Sequence, residues 1–123
     1  MRRNDHDVTD SIRTTDQAQA AGEVTRLFRG LYEGTRGAKA AGTAIATAFD
    51  DIASLYRGEH PDYQACDTEY HDIQHVLDVT LAMARLMDGY ERSRGPSAGG
   101  AKASPPLDAE CFALGITTAL FHD

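Results

Sequence analysis

The chain has 123 residues, 41% of them hydrophobic, and its 12 Lys and Arg against 19 Asp and Glu give a formal charge of −7. That length suits one ordinary domain with a core of its own, and no stretch concentrates Lys and Arg into a face for a nucleic-acid backbone. No apolar run approaches the roughly 20 residues that cross a bilayer, and the opening "MRRNDHDVTDSIRTTDQ" has no apolar segment behind its arginines, so the expectation is a soluble, cytoplasmic protein without a secretory signal.

Residues 1–20 are polar and lack periodic apolar positions, a composition that predicts a disordered tail. Next, "GEVTRLFRGLYEG" spaces Val24, Leu27, Phe28 and Leu31 by threes and fours, the pattern of a short amphipathic helix ending near Gly34. "TRGAKAAGT" interrupts the pattern. From Thr43 a second helix is predicted, with Ile45, Ala48, Phe49, Ile52, Leu55 and Tyr56 on one stripe and a stop at Gly58.

"GEHPDYQACDTEY" reads as a connector around Pro61, with Asp67 or Thr68 as the cap of a third helix running to about Tyr90. Its inward stripe is Ile73, Val76, Leu77, Thr80, Leu81, Ala84 and Met87. Residues 91–106, rich in Gly, Ser, Ala and Pro, predict a flexible loop. Finally, "LDAECFALGITTALFHD" starts with Asp108 as a cap and is apolar on all sides, the pattern of a central helix. No alternating strand pattern and no repeat is visible, so the fold class is all-α, a helical bundle of about four helices. Cys66 and Cys111, without a CxxC pair, read as reduced thiols, one in the connector and one in the core.

The chemistry concentrates in "YHDIQHVLDV" and "ALFHD". On a helix, His71, His75 and Asp78 stand at i, i+4 and i+7, on one face. Imidazole and carboxylate together suit Zn²⁺, Mn²⁺, Fe or Mg²⁺. His122 and Asp123 follow the most apolar helix, and both are costly to bury without a partner. His6 and His60 read as solvated.

These two motifs resemble those of the HD-domain metal-dependent phosphohydrolases, most closely the branch that includes the cyclic nucleotide phosphodiesterases. The resemblance implies an all-helical domain with adjacent divalent metals, for which His75, His122 and Asp123 are ligands. It implies that His71 is the general acid that protonates the leaving oxygen, and that water activated by metal attacks phosphorus. Asp78 and Asp72 would stand behind these groups, Asp78 orienting a ligand ring through its N–H. Asp72 replaces the Asn usual in the family and adds negative charge beside His71. The partner would be a small phosphorylated substrate, a nucleotide among the candidates.

Two further features differ from the family pattern. The 47 residues from His75 to His122 (122 − 75) are more than is typical, and the sequence ends at Asp123 where family members continue into helices that bring another Asp ligand. The chain therefore reads as the front part of a larger, truncated bundle, and the rival reading is a non-catalytic remnant or interaction module. An oligomer of the chain would be another way to complete the bundle. "HDIQH" also looks like an altered HExxH zinc-peptidase motif, with Asp72 in place of the general-base Glu; that reading leaves "ALFHD" unexplained.

Overall fold

Asp16 opens the first helix: its carboxylate accepts from the backbone N–H groups of Ala18 at 3.0 Å and Gln19 at 3.3 Å, pairing two of the four donors that a helix start leaves over. The computed structural model describes residues 6–7, 9–57, 73–94 and 105–122. Within them lie four helices, α1 (Gln17–Tyr32), α2 (Ala38–Arg57), α3 (Ile73–Ser93) and α4 (Ala109–Leu120). Among the described residues there is no strand, only an isolated antiparallel bridge between His6 and Arg13. The fold is all-α.

α1 and α2 form a hairpin around Gly34 and Gly37, both at positive φ (+83° and +80°), a conformation that glycine adopts without strain. α2 begins at Ala38, earlier than the predicted Thr43. The reason is alanine: "AKAA" has high helix propensity and carries the helix through the single Gly42. There a Cβ would lie 3.5 Å from the Phe28 ring, so the glycine marks a close approach of the two helices.

α1 and α4 each pack against both α2 and α3. Tyr32, at the end of α1, donates its hydroxyl to the Leu107 carbonyl just before α4 at 2.6 Å, and Gln74, at the start of α3, donates to the Thr14 hydroxyl just before α1 at 3.3 Å. The starts of α1 and α3 thus share one end of the bundle, and the start of α4 lies at the other. The core follows the predicted stripes closely: Val24, Leu27 and Phe28 from α1, Ile45, Phe49 and Ile52 from α2, Val76, Leu77, Leu81 and Ala84 from α3, Phe112, Ile116 and Leu120 from α4. Phe28, Tyr32 and Phe112 meet as tilted or edge-on rings with centroids 5.3 to 5.7 Å apart, the offset geometry that aromatic quadrupoles favour.

Four expectations are corrected. α4 is not central: it buries Ala109, Phe112, Ala113, Ile116, Ala119 and Leu120, while Leu114 is 66% and Phe121 40% exposed, because α1, α2 and α3 cover only one of its sides. Cys111 lies on that outer side, exposed, and not in the core. The polar opening is not a featureless tail either. Gln17–Ala20 belong to α1, His6 and Asp7 are buried, and residues 9–16 make a tight turn onto α3. The third helix continues to Ser93, past the predicted end, fastened by the Arg94–Glu91 pair. The predicted connector and helix start at residues 58–72, and residues 95–104 of the predicted loop, lie outside the described residues.

Candidate metal centre

His75 is the third residue of α3, and His122 is the second residue beyond α4. Antiparallel packing of α3 and α4 brings the two rings together with centroids 5.4 Å apart and planes at 60°. Val76 and Leu77 anchor the inner side of α3's first turns, with 1% and 0% exposure, so the neighbouring His75 is turned outward.

His122 reaches its place by a local device. α4 closes with the Phe121 N–H donated to the Thr117 carbonyl at 3.1 Å, and Phe121 leaves helical geometry at φ −111°, ψ 20°. The His122 ring then folds back so that Nδ1 lies 2.6 Å from the Ala119 carbonyl, one of the acceptors a helix end leaves over. A carbonyl only accepts, so Nδ1 carries the hydrogen and the lone pair of the neutral ring sits on Nε2. Fixing a tautomer through a carbonyl is the usual support of an imidazole that binds metal.

The other predicted site residues divide. Asp78 is half-buried and lines a groove with Asp7, Leu81, Ala82, Arg85 and Leu86, on the side of α3 that faces the N-terminal segment. His71, Asp72 and Asp123 lie outside the described residues, as do His60 and Cys66. Among the described residues no group of three or more His, Cys, Asp or Glu is arranged to hold a metal. What the described residues bring together is one imidazole pair, and imidazole is a donor type that divalent metals take. The Asp108 carboxylate beside the exposed Cys111 holds its thiol above the ordinary range, which disfavours the thiolate.

Sequence reasoning missed the polar knot on the other side of α3. Asp7 is 2% exposed and saturated: Ser11 N–H at 3.0 Å and Ile12 N–H at 2.9 Å donate to Oδ1, and the Thr9 hydroxyl at 2.7 Å and Arg85 at 2.6 Å reach Oδ2. Burial pushes this carboxyl up, but the bonds from Thr9, Ile12, Arg85 and Ser11 outweigh it and hold Asp7 well below the usual carboxylate range. The signal was present: Asp followed by Thr, Asp and Ser at short spacing is a side-chain-to-backbone turn pattern. Nothing in the spacing of Arg85 on α3 points to Asp7.

No family model, curated protein or solved structure matches the chain. Among the described residues no helix is long and apolar enough to cross a membrane.

Proposed function

We propose that the chain is an HD-type, metal-dependent phosphohydrolase domain that hydrolyses a phosphate ester, with phosphodiesters such as cyclic nucleotides as the favoured substrate class. One observation carries the reading. Two histidines chosen from separate motifs, 47 residues apart (122 − 75), have neighbouring rings, and one of them has its tautomer fixed through a carbonyl.

In this reading His75 and His122 bind a divalent ion, of the Zn, Mn, Mg or Fe type, together with Asp123. When bound, such an ion lowers the pKa of water toward neutrality and offsets charge on phosphate oxygens. The chain's own residues do the rest. Ala119 holds the His122 ring in one tautomer, and the buried Val76 and Leu77 fix the turn from which His75 projects. His71, four residues before His75 in the sequence, donates a proton to the departing alkoxide.

The test is calorimetric titration with Zn²⁺ and with Mn²⁺, followed by hydrolysis assays on bis(p-nitrophenyl) phosphate and cyclic nucleotides. His75→Ala and His122→Ala each weaken binding by more than about tenfold, whereas His71→Ala keeps the metal and loses turnover. Metal binding that ignores both ligand substitutions would sink the reading.

A further inference from the structure

Asp7 and Arg85 form a buried ion pair that the proposed chemistry does not use, with the carboxylate 2% and the guanidinium side chain 29% exposed. Such a pair is a poor source of net stability, because desolvation consumes most of the attraction, and its best-attested use is to fix one register among alternatives. The register fixed here is that of residues 6–7 and 9–16 on α3. Asp7 is tied to Arg85 in the middle of the helix, and Thr14, fully buried, is tied to Gln74 at its start. Between these points the segment is stiffened by the bonds from Ser11, Ile12 and Thr9 to Asp7 and by the Asp7 N–H donated to the Ile12 carbonyl at 2.8 Å. Two residues after Thr14 comes Asp16, the cap of α1.

We infer that residues 6–7 and 9–16 are a positioning strap for the histidine pair, and that Thr14, through Gln74, orders the turn of α3 that carries His75. The inference rests on the metal-site reading for its purpose, though not for its structural content. A side-chain hydrogen bond to a residue beside a site is one way to limit the local opening of the helix that carries it. Gln74 is adjacent to His75, so a tie at Gln74 limits the swing of the His75 ring relative to His122. Thr14 and Asp7 touch neither a metal nor a substrate in this account. They act through α3.

The strap is tested on the whole chain, without metal first, with Thr14→Val and Thr14→Ser. Valine keeps the shape and removes the acceptor for Gln74; serine restores the acceptor. Amide hydrogen exchange is read at Leu77, Asp78 and Val79, whose N–H groups are bonded to the carbonyls of Ile73, Gln74 and His75 in an α-helix. Thr14→Val accelerates exchange there by about fivefold, the factor that one ordinary hydrogen bond supplies. Exchange in the middle of α4 stays unchanged, and Thr14→Ser returns the α3 start to the original rate. A second readout is Zn²⁺ titration, in which Thr14→Val loses affinity by a similar factor and Thr14→Ser recovers it.

The outcomes separate the two ideas. Unchanged exchange at 77–79 in Thr14→Val overturns the strap whatever the metal does. Faster exchange in a protein that binds no Zn²⁺ supports the tie and overturns its service to a metal. Faster exchange at every site in the chain shows general destabilisation and overturns the positioning role. Where Thr14→Val does not fold, Gln74→Leu removes the donor side of the same bond from a half-buried position, and its exchange pattern decides by the same criteria.

Discussion

The two ends of the bundle differ in what lies beneath their polar bonds. At the end where α1 and α3 finish and α4 starts, polar groups are used to close the structure: Tyr32 donates to Leu107, Tyr90 donates to the Pro105 carbonyl at 2.7 Å, and the Leu107 N–H is taken by Glu91 at 3.0 Å. Beneath them lie the rings of Phe28, Tyr32 and Phe112. At the other end there is no aromatic cluster among the described residues. An exposed imidazole pair stands there, flanked by a polar strap. One end joins its polar bonds to a buried aromatic cluster, whereas the other relies on charge and directional bonds, which are what a site needs to hold a side chain at one angle.

The strongest way to break this contrast is to empty the closed end. Phe112 is fully buried and touches both other rings of the cluster, so Phe112→Ala costs about 3–5 kcal/mol. For a chain of this size that is a large share of the total stability. Urea unfolding should register it as a fall in midpoint with little change of slope. A loss under about 1 kcal/mol would mean that the aromatic cluster is not the anchor of this end.

pH separates the two ends with opposite signs. Asp7 has a folded pKa held below its ordinary 3.8, so it stabilises the fold above the unfolded value and that contribution is lost as pH falls through the depressed one. The strap end is therefore acid-sensitive. The amide signals of Ser11 and Ile12, which donate to Asp7, should keep their folded positions well below pH 4 and then move together. Tyr32 behaves the other way: burial, then the negative charge of Glu91 and Asp108, push its phenol up to about 12. Its contribution is complete below the unfolded value of 10.0 and is lost as pH rises towards 12, about 2–3 kcal/mol in all. Tyr32→Phe removes the alkaline limb. If the variant and the original lose stability in parallel from pH 10 to 12, the Tyr32 hydroxyl is not what closes that end.

Most of the closed end was legible in the sequence, and little of the strap was. Periodicity found the inward stripes of α1, α2 and α3, because burial of a helix face depends on spacing alone. Asp108 was legible as a cap, since its carboxylate meets the N–H of Cys111 three residues on, at 2.8 Å. The meeting of His75 and His122 was anticipated only through the two motifs; composition and periodicity say nothing of it. The strap was misread because low hydrophobicity was taken as inability to order. Asp7 buries little apolar surface, and its place comes from five partners, one of them 78 residues away at Arg85 (85 − 7). Long-range ion pairs carry no period. The same holds for α4, whose apolar outer side at Leu114 and Phe121 depends on which helices are present to cover it.

The smallest effect belongs to the seam that joins the two ends. A Cβ on Gly115 of α4 would lie 2.7 Å from Sδ and 2.9 Å from Cε of Met87 on α3, so Gly115→Ala forces that side chain aside. Two terms then oppose each other. Alanine in a helix interior gains about 1 kcal/mol over glycine, while moving the tip of the buried but unbranched, three-torsion Met87 costs an amount of the same order. Because the displaced atoms are a flexible tip and not backbone, the helices keep their separation. The net change should stay within about 1 kcal/mol, a shift of several degrees at most in Tm, and the ring contact between His75 and His122 should persist in nuclear Overhauser spectra. A fall in Tm beyond about 10 °C, or loss of that ring contact, would mean that the seam has no slack. The histidine pair would then owe its geometry to the close packing of α3 on α4, with the strap contributing only the orientation of the first turn.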